Sequence, residues 1–403
     1  MNQPFANIGI LKRIKQEFLF YYLSTITLRL LNIIDKTHPK PDSILILRID
    51  AIGDFVLFTG CLKSLREIYS NSLITLAVNS EFKNLAETCP YVDKIVVWDP
   101  HRWQSNYLYR IKFLNILRTA GFSSAIYPVH SRILGGDYMI LWTGAQERIG
   151  FDGEHLNVTP KYKTKLDSFY TTLVNSGSLK TEIERNKSLI ESLGGNVTTP
   201  YQTALWPTPQ DYHYVTTFIK DANLTAQQWL AVCPGSRFQG RRWNPDNYAQ
   251  LIQKIWQKFQ IKTIIIGSPQ EAGLAEKIAT ASKIAQPIVA AGKFTLRQLA
   301  ALLSHSTLFI GNETGPVHIA IAMQTPTICI LGGGHFGRYL PYGNPALHRI
   351  VYHKMDCFNC NWRCKYNTTI CIEQIGFQQV WAEANDLLSR LSAPAKQTSP
   401  AFV

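Results

Sequence analysis

The stretch Arg48-Ile-Asp-Ala-Ile-Gly-Asp54 lies between an apolar run, Ile44 to Leu47, and the start of a helical pattern. Gly53 permits a tight turn or a close approach of backbone to a ligand, and Asp54 then falls at the helix start. An Asp there can be an N-cap. At the end of a first strand it can also face a cleft and take a proton from an attacking hydroxyl. The helix dipole is expected to keep it ionised, as a base must be.

A second stretch, Cys233-Pro-Gly-Ser-Arg-Phe-Gln-Gly-Arg-Arg-Trp-Asn-Pro245, also joins a strand pattern to a helical one. Pro234, Gly235 and Ser236 form a turn with free backbone donors, and Arg237, Arg241 and Arg242 crowd the same loop. Guanidinium groups beside N–H donors suit a diphosphate, whose oxygens accept charge-assisted bonds. A solvated basic loop is the alternative.

The third is Gly311-Asn-Glu-Thr-Gly-Pro-Val-His-Ile-Ala320. Gly315 relaxes the turn and Pro316 suits the first turn of a helix carrying His318. Such an N-terminus offers N–H groups to a phosphate, while Glu313 could grip sugar or ribose hydroxyls. Gly332-Gly-Gly334-His-Phe-Gly337 matches the dinucleotide fingerprint, but Pro341 leaves little room for the helix that should receive a pyrophosphate. A glycine-rich loop lining a donor pocket is the better reading. Cys357, Cys360, Cys364 and Cys371 hold half of the eight cysteines in fifteen residues. Their number fits a structural zinc, yet the spacing lacks two well-separated pairs, and reduced, partly buried thiols are expected. No cofactor is implied.

These motifs need a frame that brings distant loops together. Strand-like runs at Ile44 to Leu47, Leu73 to Val78, Lys94 to Trp98 and Ala125 to Val129 alternate with helical patterns at Val56 to Tyr69 and Tyr107 to Thr119. The pattern repeats with strands at Trp229 to Cys233, Thr263 to Ile266, Leu308 to Gly311 and Thr327 to Leu331. Its helices are expected at Pro245 to Phe259, Gln270 to Ser282, Leu296 to Ser304 and Gly315 to Met323. Such alternation predicts α/β structure, with two Rossmann-like doubly wound domains facing across a cleft and ligands at the carboxyl ends of the strands. A Pro-, Thr- and Gly-rich segment, Gly194 to Gln210, reads as the linker. The tail from Ala393 reads as disordered.

At 403 residues the chain suits two domains. Its 46% hydrophobic and 17% charged residues describe a globular protein. A net charge of +13 points to anionic partners. Nucleic acid is the weakest of these, since the basic residues are scattered and no binding motif is legible. Phe18 to Ile34 is largely apolar, but Glu17 and Arg29 leave only eleven uncharged residues between them, short of the roughly 20 a membrane span needs. Leu19, Leu23, Ile26, Leu30 and Ile33 recur at helical spacing, with Lys12, Arg13 and Lys15 before them and Lys36 and Lys40 after. That is an amphipathic helix for an anionic membrane surface or for the protein's own first domain. No small-residue cleavage site follows, so a cytosolic protein with free thiols is expected.

Together the three motifs resemble glycosyltransferase family 9, the ADP-heptose:lipopolysaccharide heptosyltransferases. The resemblance runs from Ser43 to Ala382 and is most specific at Asn312-Glu-Thr-Gly-Pro-Val-His318 with Ala320-Ile-Ala and Pro326. It implies a GT-B architecture: an N-terminal amphipathic extension (1–42), an acceptor-binding domain (43–205), a nucleotide-sugar donor-binding domain (206–376), and a C-terminal crossover helix with its tail (377–403). The resemblance further implies an inverting, metal-independent transfer of a sugar, heptose from ADP-heptose by default, onto lipopolysaccharide core or a related lipid-linked glycan. Asp54 would be the base, Glu313 the donor-sugar contact, and Thr314, Gly315 and His318 the holders of the nucleotide diphosphate. Gly235, Ser236, Arg241 and Arg242 would line the donor site. Arg241 stands where the family often has Lys, and Glu313 where Asp is usual, which leaves a different nucleotide sugar open. A non-catalytic glycan-binding homologue is the other alternative. A nucleotide-sugar epimerase or dehydrogenase would need a glycine fingerprint near the N-terminus, and none is present.

Overall fold

The computed structural model describes residues 39–391 except 159, 199 and 225–227, together with Leu19 and Ile26. Most of the amphipathic extension and the tail beyond 391 lie outside the described residues.

Alternating apolar runs and helical segments build two parallel six-stranded sheets. The first contains β1 (Ser43–Arg48), β2 (Leu73–Asn79), β3 (Lys94–Trp98), β4 (Ser124–Tyr127), β5 (Glu147–Phe151) and β6 (Thr172–Val174) in the order β3-β2-β1-β4-β5-β6. The second contains β7 (Trp229–Cys233), β8 (Lys262–Ile265), β9 (Ile288–Val289), β10 (Leu308–Asn312), β11 (Thr327–Ile330) and β12 (His348–Val351) in the order β12-β11-β10-β7-β8-β9. Counted from its own first strand, each sheet has the same doubly wound order, with a switch point between its first and fourth strands. The central strands are buried along their length, as in β1, β7 and β10, because helices cover both faces. The two domains face each other in the GT-B arrangement.

All eight expected strands are present. The edge strands β6, β9 and β12, and β5, were not legible as strands. They are short, and β5 opens on the charged pair Glu147-Arg148. The helix Ile52–Ile68 begins four residues earlier than its apolar pattern suggests. The expected linker is held rather than free: Tyr201 Oη donates to Leu57 O at 2.5 Å, and Ala204 N donates to Thr59 Oγ1 at 3.0 Å. One apolar core runs between the sheets, joining Phe55 and Val56 to Val317 and Ala320. The last helix, Phe377–Leu391, was expected to cross back over the cleft. Its Val380, Ala384, Leu387 and Leu388 instead pack with Leu251, Ile252 and Ile255 of the helix Pro245–Phe259 in the second domain. Its amphipathic stripe is spent there. No described helix is long and apolar enough to cross a membrane.

Candidate active site

The sequence stretches singled out above leave the carboxyl ends of β1, β7 and β10, so they collect at the two switch points. The helix Ile52–Ile68 meets the helix Gly315–Ala322 there. A Cβ on Gly53 would lie 2.8 Å from His318 Cδ2, and one on Gly315 would lie 2.9 Å from Ile52 Cγ2. Two glycines thus let two helix starts touch, and Asp54 sits one residue from the contact.

Asp54 occupies the first turn, while the cap is Ala51, which has no side-chain oxygen. The carboxylate is therefore not an N-cap. Burial pushes its pKa up to about 6, the charge of Glu182 adds to the rise, and Arg48 and Arg338 oppose it. The direction is opposite to the one expected from the helix dipole alone, because desolvation outweighs it. Asp50 was not singled out from the sequence. It pairs with Arg48 at 2.7 Å, and burial raises it to about 7, with Arg48 opposing and Asp54 adding.

From the second domain, Glu313 is 4% exposed and its Oε2 has no hydrogen-bond partner. Burial raises it to about 7, Arg241 opposes the rise and Asp54 adds to it. An unpartnered buried carboxylate is costly unless a ligand completes it. His318 is buried, with Nδ1 3.1 Å from Tyr342 Oη and its ring stacked on that tyrosine. Burial, with Arg241 adding, lowers it to about 4, so it is a neutral imidazole. The helix that carries His318, Gly315–Ala322, has Thr314 at its cap position with no side-chain bond to the helix, since the Thr314 hydroxyl turns back to Asn312 O at 3.3 Å.

The three arginines separate. Arg241 lies over Trp362, 4.6 Å from the ring centroid, and reaches Glu313 O and His335 Nδ1 at 3.5 Å each; its Nε is unpartnered. Arg242 donates Nε and Nη2 to Ser236 O at 2.8 and 2.6 Å. Its fork closes its own loop instead of facing the cleft. Arg237 reaches across to Glu81 of the first domain at 2.9 Å. Ser236 is buried, and a Cβ on Gly235 would collide with Glu271. Asn312 ties these loops together: Oδ1 accepts from Trp243 N at 3.1 Å and Tyr248 Oη at 3.0 Å, and Nδ2 donates to Pro234 O at 2.7 Å.

In the glycine-rich loop Gly332, Gly333 and Gly334 are covered by aromatic rings rather than open to a donor pocket, while Gly337 has open space around it. Cβ atoms on Gly332 and Gly334 would strike Trp362, and one on Gly333 would strike Phe358. The cysteine segment supplies both aromatics. Within it Cys364 Sγ donates to Thr368 O, Cys371 Sγ accepts from Gly333 N, and all eight cysteines are free. No group of three or more His, Cys, Asp or Glu among the described residues is disposed to hold a metal ion.

Two further residues could not be found from sequence. Arg338 bridges Glu182 at 2.7 Å and Glu154 at 3.0 Å, and Glu182 N donates to Arg338 O at 2.9 Å. These partners lie in the other domain, more than 150 positions away, so no local pattern marks them. Tyr342 likewise meets His318 only through the fold.

Residues 138–366, more than half of the chain, match the model of glycosyltransferase family 9 (heptosyltransferase), and the chain belongs to that family of glycosyltransferases. Lipopolysaccharide core heptosyltransferase OpsX of Haemophilus influenzae is 24% identical over 317 residues, covering 75% of this chain and 83% of that protein. A glycosyl transferase family 9 structure from Veillonella parvula superposes with a TM-score of 0.72 at 21% identity, covering 87% of this chain and 98% of that one. Heptosyltransferase WaaC of E. coli with ADP-2-deoxy-2-fluoro heptose superposes with a TM-score of 0.64 at 16% identity, covering 85% and 99%.

Proposed function

We propose that this chain transfers a sugar from a nucleotide diphosphate, heptose from ADP-heptose by default, onto lipopolysaccharide core or a related lipid-linked glycan, with inversion and without a metal. The lipopolysaccharide acceptor rests on the relative OpsX, named for lipopolysaccharide core. The adenosine diphosphate donor rests on the neighbour that holds an ADP-heptose analogue.

The observation that carries the reading is the meeting of Asp54 with Glu313, Arg241 and His318 where the Gly53 and His318 surfaces touch. Asp54, with a pKa near 6, is ionised at neutral pH yet basic enough to take the acceptor hydroxyl's proton as the oxygen attacks the anomeric carbon. The bond to the nucleotide diphosphate breaks on the opposite face, and negative charge gathers on the leaving oxygens. Arg241 and the amides at the start of Gly315–Ala322 meet that charge, which removes the requirement for a cation. Glu313 accepts from donor-sugar hydroxyls. Neutral His318, braced by Tyr342, donates or accepts at the diphosphate without adding charge. Arg242 acts by holding the Ser236 turn. Residues 43–205 form the acceptor side and 206–376 the donor side.

The lobes touch at these contacts and are tied by the Arg338 bridges, so donor entry requires them to part. The test is thermal stabilisation of the full chain by ADP, UDP, GDP and NAD, followed by release of ADP from ADP-heptose in the presence of delipidated core glycan. Stabilisation by ADP alone, with ADP release, supports the reading. Stabilisation by UDP or GDP instead would replace the donor, and no nucleotide effect at all would favour a non-catalytic glycan binder.

A further inference from the structure

The Gly332-Gly-Gly334 run and the cysteine-bearing segment Cys357 to Cys371 have no role in the transfer as proposed, yet the fold joins them behind one side chain. Asn359 N donates to Gly333 O at 2.7 Å and Asn361 N donates to Gly334 O at 2.9 Å, which fastens the segment onto the glycine run. Trp362 then rests against Gly332 and Gly334, where any larger residue would strike its ring. The chain reaches this position through Asn359, Asn361 and Trp362 with φ values of 66°, 52° and 59°. Asparagine tolerates that left-handed region, but a bulky residue holds it only where its surroundings over-determine it, and such strain collects at functional positions.

What the ring meets is Arg241. The fork of Arg242 is bonded at 2.8 and 2.6 Å, whereas Arg241 makes its polar contacts at 3.5 Å, the outer limit for a hydrogen bond, and its Nε has no partner. Its guanidinium carbon lies 4.6 Å from the Trp362 centroid. An aromatic face fixes a guanidinium without neutralising it or using its N–H groups, and indole offers the strongest such face. A carboxylate in that place would do both. The ring is itself held edge-on, by Phe238 at 5.5 Å and His335 at 6.3 Å between centroids. Because a guanidinium can only donate, His335 accepts at Nδ1 and donates Nε2–H to Asn361 Oδ1, next to Trp362. The Trp362 Nε1, buried beside Gly334, has no partner, so what the indole contributes is its face.

We propose that Trp362 is a positioning residue for the transfer: it holds the Arg241 guanidinium toward the donor's diphosphate with its N–H groups free, and the Gly332-Gly-Gly334 run seats the ring. This role rests on the reading that Arg241 meets the leaving diphosphate. It does not depend on which sugar is moved.

ADP, which carries the charge of the leaving group, is the probe. Its affinity for the full chain is measured by calorimetry in wild type, Trp362→Ala, Trp362→Leu and Trp362→Phe, each also combined with Arg241→Ala, and folding is checked by circular dichroism. Trp362→Ala and Trp362→Leu are expected to weaken ADP about tenfold when Arg241 is present and less than about twofold in the Arg241→Ala background. Trp362→Phe should stay within about threefold of wild type, because an aromatic face is kept. Should Trp362→Ala fail to fold, the leucine and phenylalanine variants carry the comparison. Full rescue by leucine would make the ring a packing element, and equal losses in both backgrounds would detach it from Arg241; either result overturns the positioning role and leaves the role of Arg241 standing. Wild type that does not bind ADP, or binding that Arg241→Ala leaves unchanged, refutes the underlying reading of Arg241 and takes the Trp362 role with it.

Discussion

At the first switch point the chain leaves β1 through Arg48 and Asp50 into a helix capped by Ala51, and at the second it leaves β10 through Glu313 into a helix capped by Thr314. Neither cap makes a side-chain bond to its helix. The helices Glu182–Ser192, Pro209–Asp221 and Leu296–Leu303 contrast with them, each opening on a complete threonine capping box. A capping box satisfies N–H groups at once and stabilises the helix by about 1 kcal/mol. A helix start without one leaves donors for something else, which suits a surface built to receive an anion. The facing walls then divide the chemistry. The first domain brings Asp50 and Asp54, and the second brings Arg241, a neutral imidazole and Glu313 with its unpartnered Oε2; burial raises all three carboxyl groups. Identical strand orders thus carry unlike chemistry, because the loops leaving the strands differ and the frames do not.

The division can be broken most sharply on the first wall. Asp54→Asn is expected to lower kcat by about 10²- to 10⁴-fold while donor binding, measured by calorimetry, stays close to wild type. The same variant should be more stable than wild type near pH 7.5. Asp54 has a folded pKa raised from 3.8 to about 6, so its protonated form favours the fold and stability is lost as pH rises through that interval. A neutral isostere escapes the loss, and a melting temperature below that of wild type at pH 7.5 would contradict the burial argument.

On the second wall, Arg241→Ala should cost about 10²- to 10³-fold, the usual size of one lost donor to a developing charge. The Lys variant is expected to recover part of it, because charge is kept and the planar stacking on Trp362 is not. A coupling between the walls is visible as pH dependence. The acid limb of kcat/KM should fall below about pH 6 as Asp54 is protonated. Arg338→Gln should move that limb upward, since Arg338 is one of the two cations that lower the Asp54 pKa; a limb that stays put would separate the bridge from the base. The smallest effect is expected for Arg237→Gln. Its partner Glu81 is reached by an 81% exposed side chain, and such pairs contribute little, so turnover should stay within about threefold of wild type.

Much of the frame was legible before any coordinates. Buried parallel strands read as continuous apolar runs, which is why β1, β7 and β10 and the glycine-bearing turns after them were found close to their observed limits. The edges were not, because a two- or three-residue strand such as β9 or β6 has too few positions to set a period. Among candidate site residues, Asp54, Arg241, Glu313 and His318 were nameable from type and spacing. The turn of Arg242 onto Ser236 O and the filling of the glycine loop by Trp362 and Phe358 were not. Each depends on a side chain choosing between partners that spacing alone presents as equals.

The sequence by itself determined two doubly wound domains, the loops that carry chemistry, and the family to which the chain belongs, since local periodicity and strand-to-helix turns are properties of neighbouring residues. Only the tertiary structure decided which charges meet. Glu182 and Arg338 bear on Asp54, Tyr342 braces His318, and burial sets the direction of each pKa. The energy of a charge depends on the dielectric and the partners around it, and those arrive from segments distant in the chain, Glu182 and Arg338 lying more than a hundred residues from Asp54 and Tyr342 lying 24 from His318.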